Sequence, residues 1–176
     1  LIPILTMRLL SEDKKQKTDQ ALLTAPLSLT GLVVGKFLAA FFIFALGVSV
    51  MLLYAVVLSA FATIEWTVFF GNVVGLLLLG GALISVGLFI SGLTENQVVA
   101  AVGSFAIMML LMLIDMIAGA IPINFISNIV YKISFFDKYN EFTVGIFNFA
   151  SILFFLSFIV VFLFLTIRAL EKRRWS

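Results

Sequence analysis

The sequence predicts an all-α polytopic membrane protein: four complete transmembrane helices after the end of an earlier one, an amphipathic cytoplasmic helix, and short outer re-entrant or interfacial helices. Three observations predict this class. The 176 residues are 63% hydrophobic and 11% charged, whereas a soluble domain is roughly 45–50% apolar and about 25% charged. Such a chain cannot cover a water-facing surface, and it is far too apolar to be disordered. Charges also divide the chain into long runs: none falls between Lys36 and Glu65, between Glu65 and Glu95, between Glu95 and Asp115, or from 142 to 167. Finally, 73–79 and 105–114 are continuously apolar apart from Gly75. A membrane barrel would need strands of alternating polarity, whereas helices satisfy every backbone group within the segment.

Composition limits the chemistry. The chain has no Cys and no His, which excludes the usual zinc sites, Cys or Ser–His catalysis and a disulfide frame. A net charge of +2 with no basic face gives no nucleic-acid footprint. We predict no catalytic residue and no metal site.

The elements follow in order. A hydrocarbon core of about 30 Å takes roughly 20 helical residues, which places spans at 33–62, 67–92, 95–116 and 145–168. Residues 1–8, opening Leu-Ile-Pro-Ile-Leu-Thr, lack the basic start and cleavage site of a signal peptide. They read as the end of a preceding span, and the chain as a piece of a longer protein. Residues 9–30 hold the densest polarity, with Glu12, Asp13, Lys14, Lys15, Thr18, Asp19 and Gln20 followed by Leu22 and Leu23. That pattern predicts a short amphipathic helix over 11–23, stopped by Pro26. The helix is either a solvated linker or a dock for a cytoplasmic partner. Ser28 is placed to cap the next helix.

The connection at 93–97 carries Thr94, Glu95, Asn96 and Gln97. Thr94 and Gln97 have capping-box spacing, and Glu95 suits a positive helix end. Residues 117–144 form one long outer segment, too short in its apolar stretch to span. It is expected to hold one or two short helices that dip into the outer leaflet, as packing or as an outer gate. Asp115 falls at the outer edge of its span, and no span has an ionisable group near its centre, which argues against an ion-coupled carrier. Residues 169–176 are a cytoplasmic tail. Nine of the eleven basic residues then share one side, with only Lys132 and Lys138 opposite, which makes that side cytoplasmic. Lys36 lies in the first turns of its span, with its ammonium expected to snorkel to the interface.

Gly31-Leu-Val-Val-Gly35-Lys36-Phe37 resembles a phosphate loop at a glance. It has three residues between the glycines rather than four, and Phe where a magnesium-binding Ser or Thr belongs. Gly31/Gly35 and Gly71/Gly75 are small residues four apart in apolar helices, a spacing that admits a close helix neighbour, within the chain or in a second copy.

Three stretches together resemble the permease subunits of type-2 ABC transporters, particularly the branch related to the gliding-motility-associated permease. They are 8–26 with Gly35-Lys36; Gly87 to Ala101 through Ser91, Thr94 and Gln97; and 136–145 with 163–175. One departure is Lys17, where relatives usually have Gly before Thr. The resemblance implies six spans in the family, of which this chain supplies the end of the second and the last four. It implies that the 9–30 segment is the coupling segment, seated on an ABC ATP-binding subunit, and that ATP and magnesium bind to that partner and not to this chain. It further implies a second permease subunit, as homo- or heterodimer, in a bacterial cell (plasma) membrane. The expected function is the substrate pathway of an ATP-driven exporter. A non-enzymatic membrane scaffold is the alternative, and an ion-coupled carrier or channel a weaker one.

Overall fold

The computed structural model describes residues 2–12, 28–61, 65–120 and 134–174, except for the side chains at 114–120, 173 and 174. Six helices follow in order: α1 (Ile2–Thr6), α2 (Leu29–Ser59), α3 (Trp66–Leu93), α4 (Gln97–Ala120), α5 (Phe135–Thr143) and α6 (Phe149–Arg174). No strand occurs among the described residues. The helices α2, α3 and α6 are long and apolar enough to cross a membrane, and α4 carries a shorter apolar stretch, Gln97–Leu113.

α2 begins where its sequence signals a start. The Ser28 hydroxyl accepts from the backbone N–H of Gly31 at 3.2 Å, satisfying one of the helix's first free donors. With 31 residues, α2 is about 46 Å long. Only one stripe of it is buried: Leu29, Val33, Phe37, Ala40, Phe44, Val48 and Ala55. Those positions recur at three- and four-residue steps, the period of one helix face. The opposite side, with Phe42, Leu53, Tyr54 and Val57, is exposed and equally apolar, as a lipid-facing surface must be. On this side Ser49 and Ser59 donate to the carbonyls of Leu46 (2.6 Å) and Val56 (2.7 Å), so neither hydroxyl meets lipid unpaired.

α3 is the central helix and packs on all five others. From Gly80 to Gly92, nearly every residue is buried. Between lipid-bathed helices there is no water to expel, so association rests on close packing and interhelical hydrogen bonds. Small residues make that packing possible. A Cβ on Gly80 would run into the Phe44 ring, and one on Gly87 into the Thr6 side chain. One apolar cluster joins Leu10, Phe37, Phe44, Ile84, Leu88 and Leu170. A second, toward the other end of α3, joins Ala82, Phe135, Phe142 and Phe155.

The connection from α3 to α4 differs from the predicted capping box. Thr94 has extended backbone and closes α3, and its hydroxyl accepts from the Asn96 N–H at 3.2 Å. The Asn96 side-chain carbonyl accepts from the Val98 N–H at 2.9 Å, so Asn96 is the cap and not Thr94. The reason is where α4 starts: its first residue is Gln97, which leaves Asn96, and not Thr94, at the cap position.

Candidate functional site

Basic side chains gather at one end of the bundle. Arg8 and Lys36 lie there, and Arg168 and Lys172 flank Leu170, which packs with Leu10 in the first cluster. Lys138 belongs to α5, which packs at the opposite end of α3, against Gly71 and Gly75.

At the basic end, α1 gives way to a turn at residues 7–10, and helical backbone resumes at Ser11 and Glu12. A chain that leaves one helix and starts another exposes unpaired carbonyls and then unpaired N–H groups. Two side chains from other helices meet them. The Ser91 hydroxyl, fully buried near the end of α3, accepts from the N–H groups of Leu10 (3.1 Å) and Ser11 (3.0 Å). It also donates to the Met7 carbonyl at 3.2 Å. The Lys36 ammonium of α2 donates to the Leu9 carbonyl. Ser91 thus caps, from another helix, the helical backbone that begins at Ser11. Leu10 is buried beside Gly92, where an added Cβ would stand 3.3 Å from its side chain. Thr166 of α6 is buried at the same level, its methyl 3.6 Å from that Cβ position and its hydroxyl donating to the Phe162 carbonyl at 2.7 Å.

Of the residues predicted for the partner-docking surface, Glu12 is half-buried just beyond this turn. Asp13, Lys14, Lys15, Thr18, Asp19, Gln20, Leu22 and Leu23 lie outside the described residues. Thr94, Glu95, Asn96 and Gln97 come soon after Ser91 at the same end, with Glu95 and Asn96 exposed. The two glycine pairs part company. Gly71 and Gly75 receive α5: a Cβ on Gly71 would strike the Phe142 carbonyl, and one on Gly75 would stand 2.7 Å from the Phe142 Cβ and 3.2 Å from the Tyr139 ring. Gly35 has nothing within 4 Å of a Cβ position, and Gly31 meets only its own cap, Ser28. Their stretch is helical through Lys36, so it offers no loop to cradle a phosphate.

Helix α5 is fixed by further contacts. Ser134 caps it, accepting from the Asp137 N–H at 3.0 Å. The Ser151 hydroxyl donates to the Glu141 carboxylate at 2.6 Å. The Lys138 ammonium stands 4.9 Å from the Phe154 ring centre. Gly145 turns the chain back into α6 with φ of 77°, a conformation costly for other residues.

Between the two ends lies an apolar cavity of about 370 Å³. All five of the first helices contribute, through Ile2, Phe44, Leu79, Phe105, Met108 and Phe135 among others, and every lining side chain is apolar. Such a wall offers nothing to coordinate an ion. Among the described residues no group of three or more carboxylates could hold a metal.

Sequence reasoning gave Lys36 an interfacial position but not its carbonyl partner, and it gave Ser91 only the role of a small residue. Contacts at sequence separations of 27 and 80 residues leave no local signature. A lone hydroxyl in an otherwise apolar, glycine-rich helix end was the available sign that something nearby needed a hydrogen bond.

The family model described as ABC-2 family transporter protein matches residues 1–175. The chain belongs to that family and is a membrane permease of an ABC transporter. Membership implies an ABC ATP-binding partner in general, and a multi-pass place in a membrane. No curated protein and no solved structure matches the chain.

Proposed function

We propose that this permease forms the substrate pathway of an ATP-driven exporter and seats a separate ATP-binding subunit on its 9–30 segment. The observation that carries the reading is the turn at residues 7–10: the start of the segment is held fast at the end where Arg8, Lys36, Arg168 and Lys172 collect. Basic residues mark the cytoplasmic side, which is where an ATPase would dock. The loop at 94–96 lies at the same end and would flank the docked subunit. We read α4, with 24 residues and about 36 Å, as the fourth span. ATP and magnesium would belong to the partner. A second permease subunit would complete the pathway, and the gliding-motility-associated branch in a bacterial plasma membrane remains our placement within the family. The apolar walls of the cavity give no support to ion coupling, so energy from a partner is the economical account.

Two measurements test this. The permease purified from its native membrane should bring with it a protein carrying a nucleotide-binding P-loop, and the complex should hydrolyse ATP. A permease that purifies alone and without ATPase activity contradicts the proposal and favours a scaffold. Cysteines introduced at Lys172 and Asn140, both exposed in a Cys-free chain, should react with an impermeant maleimide from opposite sides of the membrane. Reaction from one side only rejects the topology.

A further inference from the structure

The turn at residues 7–10 could be held by its own backbone, as most short turns are. Its own chain does part of this, with the Met7 and Leu9 N–H groups bonded to the Pro3 and Thr6 carbonyls and the Ser11 hydroxyl to the Met7 carbonyl, but side chains of two other helices bond groups that these leave over. Ser91 bonds the Leu10 and Ser11 N–H groups and the Met7 carbonyl, and Lys36 bonds the Leu9 carbonyl. Four backbone groups at the entrance to the docking segment are thereby tied to α3 and α2. Leu10 adds a buried apolar anchor in the cluster that also holds Leu88 of α3 and Leu170 of α6. Hydrogen bonds are directional, so this attachment resists rotation and sliding of the turn, which apolar packing alone would permit. α3 in turn touches every other helix, including outer helix α5.

We propose that Ser91 and Lys36 are positioning residues that transmit movement of the docking segment to the bundle. Ser91 drives α3, and Lys36 carries α2 along. This rests on the reading of 9–30 as the ATPase dock and adds to it the route by which motion leaves that dock. A segment pulled at Glu12 moves Ser11 and Leu10. With Ser91 in place, the end of α3 must follow or two buried N–H groups lose their acceptor. Without Ser91 the turn can move while α3 stays. Coupling of this kind is a free energy shared between two sites and is read as a ratio.

The test uses the full permease–ATPase complex in vesicles of bacterial lipid. A single cysteine at Asn140, exposed on α5, reports the outer end through its rate of reaction with an impermeant maleimide, with and without ATP and vanadate. In the native sequence, nucleotide should change that rate. In Ser91→Ala, the change in rate per ATP hydrolysed should fall by about tenfold. Lys36→Met, which keeps the aliphatic stem, should lower the same ratio, and Lys36→Arg, which restores a donor, should recover it. The ratio matters because a merely structural defect would lower hydrolysis and response together and leave it unmoved. A ratio that stays native in both Ser91→Ala and Lys36→Met overturns the inference, as does an Asn140 reporter that ignores nucleotide in the native sequence. Should Ser91→Ala fail to assemble, the two Lys36 variants decide. A native permease that binds no ATPase is a different result, since it rejects the docking reading itself before any variant is made.

Discussion

The two ends of α3 are fastened by different chemistry. At the α5 end, Gly71 and Gly75 accept the backbone and ring of Phe142, a fit of shape. At the basic end, Ser91 holds a turn some 80 residues away by three hydrogen bonds. A shape fit is worth many small dispersion contacts and collapses when volume is added. A polar tie is worth a few directional bonds and collapses when an acceptor is removed. The α5 end should therefore be sensitive to enlargement and the basic end to loss of a hydroxyl.

Four substitutions would break or sharpen that contrast. The largest effect is expected at Gly71→Leu, because the first added atom meets the Phe142 carbonyl, and backbone cannot swing aside. The loss should be about 3 kcal/mol, read as a lowered thermal unfolding midpoint in detergent. Gly75→Leu should cost somewhat less, about 2 kcal/mol, because it meets the Phe142 Cβ, which its backbone holds in place, rather than a carbonyl, and the Tyr139 ring beside it. Ser91→Ala should cost about 1–2 kcal/mol, as two buried N–H groups lose an acceptor. Hydrogen exchange should also quicken at the Leu10 and Ser11 amides and not at α5. Ser151→Ala, which removes one bond to the Glu141 carboxylate, should cost about 1 kcal/mol or less. If Ser91→Ala proved silent while Gly71→Leu unfolded the protein, both ends would depend on shape alone.

The same contrast explains what was legible in the sequence. α2 and α3 are almost equally apolar, and neither shows a polar face, so periodicity could not say which is central. Glycine content could have: α3 carries Gly71, Gly75, Gly80, Gly81, Gly87 and Gly92 along its buried side. The Gly71/Gly75 spacing announced a close neighbour, but only the fold supplies Phe142, far along the chain. Ser28 was readable as a cap because its partner is three residues away. Thr94 misled because a capping box presumes that the helix starts right after it, whereas Asn96 holds that position. Lys36 was expected to reach the membrane interface, whereas the Leu9 carbonyl to which it donates could not be inferred from spacing.

The central claim is that the 9–30 segment seats an ATP-binding subunit, and charge reversal tests it most directly. Glu12→Lys and Asp19→Lys change the proposed dock. Glu171→Lys is the control, since Glu171 is at the same end but pairs with the exposed Arg168 at 2.8 Å, an interaction worth about 1 kcal/mol at most. The measurement is the amount of ATP-binding subunit retained by each purified variant. The account predicts a clear loss for Glu12→Lys and Asp19→Lys and native retention for Glu171→Lys. Full retention by both dock variants, or equal loss in the control, would contradict it and leave the segment a solvated linker.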